Sequence, residues 1–108
     1  MAATARLWIT ALYDQDDSRA IAKEAENMAK AEEFMERRGL PYSRQRLQNG
    51  TVDLSVEVPM DETLPLLREL KRAGIFYGSI DAFDIAEDDP RLDALLSFDP
   101  HLILGVEV

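Results

Sequence analysis

The sequence predicts one α+β domain with a ferredoxin-like β-α-β-β-α-β layout, in which an antiparallel sheet carries helices on one face and a C-terminal α-β extension follows. Three observations predict this fold. The length of 108 residues suits a single domain, 1–108. Segments with the hydrophobic period of a strand alternate along the chain with segments that have the period of a helix. Glycine, proline and Asn-Gly signals separate these segments.

The first two elements are a strand and a long helix. Residues 6–13 are rich in β-branched and aromatic side chains and predict a strand with Leu7 and Ile9 on one face and Trp8 on the other. Because both faces are apolar, the face with Trp8 needs a cover. A sheet-to-sheet homodimer and the third helix are the two candidates for it. Residues 18–38 predict an amphipathic helix that follows acidic capping residues.

A β-hairpin is predicted over residues 42–58, because Asn49-Gly50 is the strongest short turn signal in the chain. A two-residue turn at this point would pair Arg44 with Ser55. The first hairpin strand is polar on both faces and is expected at a sheet edge, where its arginines discourage pairing with other chains. The second strand alternates apolar and polar residues, as a half-buried strand does.

Two helices and two strands complete the chain. They are predicted, in alternating order of helix and strand, at residues 60–74, 75–85, 88–97 and 102–108. Asp61 or Thr63 is expected to cap the first of these helices, and a bulge is expected near Gly78. The last helix and strand are expected either to extend the sheet at an edge or to cross to a neighbouring subunit.

The composition excludes several chemistries. The chain has no cysteine, which excludes disulfides, iron–sulfur clusters and cysteine nucleophiles. Its one histidine, His101, excludes a multi-histidine metal site within one chain. No apolar run approaches the roughly 18 to 20 residues that a membrane span needs. The start of the chain does not resemble a signal peptide, so a cytoplasmic location is expected, and no cofactor is predicted.

Acidic residues are concentrated near the C-terminus. The net charge is −9, and residues 80–108 hold eight acidic side chains and one basic one. This balance argues against direct binding to nucleic acid or to an anionic membrane and favours a basic protein partner. A solvated face with two helix-capping aspartates is the alternative. The candidate partner-binding residues are Asp81, Asp84, Glu87, Asp88, Asp89 and Asp93.

Three smaller groups are weaker candidates. Asp14, Asp16 and Asp17 have the residue type of a magnesium or calcium site, but helix capping is favoured because the calcium-loop pattern fails. His101 beside Asp99 has the residue types of a general base, but no activated serine accompanies it and an ordinary loop histidine is favoured. A third group is a candidate binding site for an anionic ligand, although its arginines also suit edge protection: Tyr42, Arg44 and Arg46.

Two functional hypotheses remain. The first is a small, non-enzymatic protein-binding module, of the inhibitor or immunity type, whose carboxylates take the place of phosphates on a basic partner protein. The second is a small-molecule-binding regulatory domain that dimerises through its sheet. An enzyme is the least favoured class, because the sequence offers few groups for acid–base or nucleophilic chemistry.

Overall fold

A computed structural model describes residues 2–11, 17–48 and 50–107 of the chain. These residues form five strands and three helices. In chain order they are β1 (Thr4–Ala11), α1 (Ser18–Arg37), β2 (Tyr42–Arg46), β3 (Val52–Pro59), α2 (Met60–Arg72), β4 (Ser79–Phe83), α3 (Pro90–Phe98) and β5 (Ile103–Glu107). The α+β class is confirmed. No helix in the described part of the chain is long and apolar enough to cross a membrane.

All five strands belong to one sheet with the order β2-β3-β1-β4-β5. Antiparallel pairing joins β1 to both β3 and β4, and also joins β2 to β3. The expected antiparallel sheet is nevertheless mixed, because β5 runs parallel to β4. A parallel neighbour needs a crossover connection, which the chain makes with α3. The C-terminal extension therefore enlarges the same sheet at its edge.

The three helices cover one face of this sheet. Alternate residues of β1 and β3 are buried, including Leu7, Ile9 and Leu54, as the period of two requires. They form a single core with the apolar stripes of the helices. α3 packs beside α2 and contributes Leu92 and Leu95 to the same core, so it does not cover the opposite face of the sheet.

The ends of α1 follow the sequence signals, whereas the start of α2 does not. The Asp17 carboxylate accepts hydrogen bonds from two backbone N–H groups of the first turn of α1, and Gly39 follows the helix with φ of 66°. In contrast, α2 begins directly after β3, and no described side chain caps it. The predicted caps Asp61 and Thr63 are inside the first turn, and the Thr63 hydroxyl donates to the Pro59 carbonyl at 3.2 Å.

The hairpin between β2 and β3 has a different register from the predicted one. The Leu47 N–H donates to the Thr51 carbonyl at 2.8 Å, which leaves a three-residue loop instead of a two-residue turn. Arg44 therefore pairs with Leu54 and not with Ser55. A shift of one residue moves every side chain of a strand to the other face of the sheet. The predicted turn residue Asn49 lies outside the described residues.

β4 is shorter than the predicted strand over 75–85. Residues 75–78 lead into it without regular structure, and the Gly78 N–H donates to the Trp8 carbonyl at 2.9 Å. At the other end, Asp84 has φ of 57°, which is uncommon for a residue with a side chain. This left-handed conformation ends β4 and directs the chain toward α3.

Candidate functional site

The face of the sheet opposite the helices carries the most distinctive surface of the molecule. We call it the open face and define it by the strand positions that alternate with the buried ones. Its residues are Thr4, Arg6, Trp8, Thr10, Ser43, Gln45, Asp53, Ser55, Glu57, Pro59, Ser79, Asp81, Phe83, Ile103, Gly105 and Glu107. One cation and four carboxylates are among these described positions, so the open face is acidic.

Trp8 lies near the centre of the open face and has small neighbours. The register places Ser55 of β3 and Ser79 of β4 directly opposite it. Because serine side chains are short, they leave the surface of the indole accessible from the solvent side. Carboxylates occupy the diagonal positions on both neighbouring strands: Asp53, Glu57 and Asp81. The open face therefore has an aromatic centre with acidic groups around it.

Asp81 is held against this aromatic centre. The Trp8 Nε1–H donates to Asp81 Oδ2 at 2.9 Å, and both side chains are half-buried. Gly105 of β5 lies beside Asp81, and a Cβ atom there would be only 2.8 Å from Asp81 Oδ1. Glycine is therefore the residue that lets the carboxylate occupy this position.

Arg6 is the one cation among the described residues of the open face. Its guanidinium carbon lies 6.0 Å from the ring centroids of both Trp8 and Phe83, at the outer limit of cation–π contact. Arg6 Nη2 is 3.6 Å from Glu57 Oε2. That distance permits an ion pair but is longer than a hydrogen bond.

A depression of about 270 Å³ lies beside Trp8, over β1, β2 and β3. Its lining consists of Arg6, Trp8, Ser43, Gln45, Asp53, Ser55 and Glu57. The Thr10 hydroxyl donates to Asp53 Oδ1 at 2.8 Å and so orients that carboxylate. The depression combines one aromatic wall with two carboxylates, which is suitable chemistry for a planar cation.

The remaining cations lie on the other side of the molecule. Eleven of the twelve lysine and arginine residues belong to the helices, their C-caps or the helix-facing side of β2. Several pair with carboxylates there, including Arg37 with Glu33 at 2.6 Å and Arg38 with Glu69. The two sides of the sheet therefore differ in charge, because the helical side has the cations that balance its carboxylates.

The structure distributes the predicted partner-binding acids over three places. Asp81 is on the open face, where β4 pairs with β1 and β5. Asp84, Glu87 and Asp88 are exposed in the connection after β4, and the Asp84 N–H donates to the Glu107 carbonyl at 3.1 Å. This connection therefore continues from the edge of the open face.

Asp89 and Asp93 belong to α3 and its cap. Asp89 is the N-cap and accepts hydrogen bonds from the backbone and the guanidinium of Arg91. These bonds hold the pKa of Asp89 below its ordinary value. The Asp89 carboxylate is thus already paired with Arg91 and the N-terminus of α3, whereas Asp93 is exposed on the helix.

The predicted ligand-binding group forms contacts with α1. The Tyr42 hydroxyl donates to Glu36 Oε1 at 3.0 Å, and this bond raises the pKa of Tyr42. Arg44 Nη1 is 3.1 Å from Glu32 Oε1, while Arg46 is exposed at the end of β2. Since Tyr42 and Arg44 are paired with the helix, they support the packing of the edge strand.

The remaining candidates from the sequence are the aspartates before α1 and His101. Asp17 caps α1, while Asp14 and Asp16 lie outside the described residues. His101 is exposed, and it is its backbone N–H that donates to Asp99 Oδ1, at 3.1 Å. The described residues contain no group of three or more side chains that could hold a metal ion.

A second concave surface lies between α1 and residues 74–78. It is a groove of about 630 Å³ that includes Phe76, whose side chain is 78% exposed. Asn27 holds this segment by accepting from the Phe76 N–H at 2.7 Å and donating to the Phe76 carbonyl at 2.9 Å. Its lining also contains two lysines and two glutamates: Lys23, Lys30, Glu24 and Glu26.

Comparison of the chain with known protein families, with curated proteins and with solved structures finds no match.

Sequence reasoning missed most of the open-face site. Arg6, Asp53 and Glu57 were not predicted to belong to it, and Trp8 was noted only as a side chain that needs a cover. The alternation of β1 and β3 is a usable signal, because it places these residues on the faces opposite the buried ones. The pairing of β1 with β3 brings them together, and no local pattern specifies that pairing.

Proposed function

We propose that this chain is a non-enzymatic binding module of the inhibitor or immunity type, which binds a basic protein partner and occludes its cationic surface. The observation that supports this proposal is the separation of charge across the sheet. The open face has four carboxylates and one arginine, whereas the other eleven cations lie on the helical side. Such a surface attracts a basic partner and repels nucleic acid.

The binding surface in this proposal is wider than the sequence pattern suggested. It includes the open face and the exposed connection after β4, with Asp84, Glu87 and Asp88. Asp89 is left out because it caps α3 and pairs with Arg91. In the complex, the carboxylates take the positions that phosphate groups of a nucleic acid would take on the partner. Long-range attraction of this kind raises the association rate and makes binding sensitive to salt.

A cationic peptide tests the proposal without knowledge of the natural partner. Trp8 is the single tryptophan of the chain and lies on the open face, so its fluorescence reports binding there. We expect nona-arginine to change this fluorescence at low salt and the change to disappear near about 1 M salt, where screening is strong. No binding at low salt would contradict the proposal.

A pair of charge-matched variants locates the surface. The triple variant D84N/E87Q/D88N is expected to weaken nona-arginine binding about tenfold, because each exposed charge contributes roughly 0.5 kcal/mol. The control E26Q/E33Q/E62Q removes the same formal charge from the helical side and is expected to change the affinity less than about twofold. Equal weakening by both variants would mean that net charge alone governs binding.

Two finer features belong to the same proposal. We propose that the first six elements form the ferredoxin-like unit that the sequence predicts, and the order β2-β3-β1-β4 of antiparallel strands supports this assignment. We also propose a cytoplasmic location, which the lack of cysteine favours.

A second candidate function is a small-molecule-binding regulatory domain that dimerises through its sheet. The groove between α1 and residues 74–78 supports it, because about 630 Å³ is within the range of small-ligand sites. Native mass spectrometry of the purified protein tests this candidate. A reproducible adduct that the substitution N27A removes would favour it, and spectra with the bare chain alone would count against it.

A further inference from the structure

The depression beside Trp8 has the dimensions and chemistry of a site for one side chain. Its volume of about 270 Å³ lies close to the lower end of the roughly 300 to 1,000 Å³ of sites for small-molecule ligands. Its lining combines Trp8 and the carboxylates Asp53 and Glu57 with the short side chains of Ser43 and Ser55. Arg6 and Gln45 complete the lining. A long side chain with a planar cationic end has the chemistry to pair with this lining.

Two features of the depression favour a guanidinium over an ammonium group. The indole of Trp8 offers a flat π surface, on which a planar guanidinium stacks through its face. Asp53 offers a carboxylate that Thr10 already orients through Oδ1. An arginine can stack and form directed hydrogen bonds at the same time, whereas a lysine acts as a point charge.

Arg6 already places one guanidinium in the lining of this depression. Arg6 lies over the rings of both Trp8 and Phe83 at 6.0 Å, the limit of a favourable contact. Its separation of 3.6 Å from Glu57 is too long for a hydrogen bond. Arg6 therefore lines the depression with only a long ion pair to Glu57 and distant ring contacts.

From these observations we infer that the depression beside Trp8 is the binding site for one arginine side chain of the basic partner. This inference rests on the proposed function, and it explains how the protein would select one basic partner over another. The arginine stacks on the indole of Trp8 and donates to the carboxylate of Asp53. The surrounding negative charge attracts the partner, and this site distinguishes an arginine-rich segment from a lysine-rich one.

The comparison of two peptides of equal charge tests the inference. Nona-arginine and nona-lysine carry a fluorescent label, and their affinities are measured by anisotropy, so that the reading does not depend on Trp8. We expect the native protein to bind nona-arginine about two- to fivefold more tightly, since stacking on the indole contributes about 0.5 to 1 kcal/mol. The variants W8L and D53N are each expected to reduce this preference to near unity.

The control and the possible outcomes separate this inference from the proposed function. The variant E62Q removes one exposed carboxylate from α2 and is expected to leave the preference for arginine unchanged. If neither peptide binds, the proposed function fails and the inference fails with it. If both peptides bind equally, the proposed function stands and the arginine site is refuted. A preference that survives both W8L and D53N also refutes the site, and D53N provides this test even if W8L does not fold.

Discussion

Replacement of Gly105 by alanine tests how the open face is built. The added Cβ would lie 2.8 Å from Asp81 Oδ1, closer than non-bonded atoms approach, so the carboxylate must move. Its movement breaks the 2.9 Å hydrogen bond from Trp8 Nε1, and a bond to a charged acceptor contributes about 1.5 to 3 kcal/mol. Alanine also stabilises a strand by about 0.5 to 1 kcal/mol relative to glycine. We therefore expect a net loss of about 0.5 to 2.5 kcal/mol.

Urea denaturation, followed by Trp8 fluorescence and by circular dichroism, measures this loss. Gly78→Ala is the matched control, because its Cβ would make an ordinary contact of 3.7 Å with the Trp8 carbonyl and is expected to be neutral or stabilising. In the D81A background, G105A has no carboxylate to displace and is expected to stabilise. A coupling energy below about 0.5 kcal/mol between positions 81 and 105 would refute the reasoning.

Three further predictions concern the fold. Leu67→Ala in α2 is expected to cost about 2 to 5 kcal/mol in urea denaturation because Leu67 is fully buried, and Leu96→Ala, at a partly exposed position, should cost less than about 0.5 kcal/mol. Asp17→Ala removes the cap of α1 and should lower the melting temperature by about 4 to 8 °C, whereas Asp17→Asn retains a capping side chain and should not. Burial, and secondly the neighbouring Asp99 carboxylate, raises the pKa of Tyr77. The neutral Tyr77 side chain therefore contributes its full stability to the fold below the unfolded-state pKa of about 10, and this contribution is lost as the pH rises above that value. Stability curves of the native protein and of Tyr77→Phe should therefore diverge above about pH 10, and parallel curves would contradict this assignment.

Local patterns predicted the elements of this fold because their causes are local. The alternation of β3 and the stripe of α1 both follow from burial on one side. The hairpin register was wrong for a physical reason: Gly50 has φ of 85°, and a left-handed glycine suits both a two-residue turn and the three-residue loop observed. The one-residue difference places Arg44 on the helix-facing side, where it pairs with Glu32.

The candidate site was less predictable because it depends on strand order. Neighbours in sequence are not neighbours on the surface: Asp81 is on the open face, while Asp89 caps α3. Conversely, Asp53 and Trp8 are far apart in sequence, and they become neighbours on the surface because β1 pairs with β3. Charge counting finds an acidic segment, but it cannot show which of its carboxylates already form hydrogen bonds or ion pairs within the fold.

The charge of the open face also indicates what kind of molecule covers Trp8. The third helix packs beside α2, so the sequence expectation that it covers Trp8 is wrong. In a sheet-to-sheet homodimer, two-fold symmetry would place four carboxylates and one arginine against the same set. Like charges so arranged repel most strongly at low ionic strength, whereas a basic partner is attracted most strongly there. Sedimentation at about 0.05 M and about 1 M salt separates the two cases. We expect a monomer at low salt, and a dimer that forms at low salt and dissociates at high salt would contradict the repulsion on which the choice of a basic partner depends.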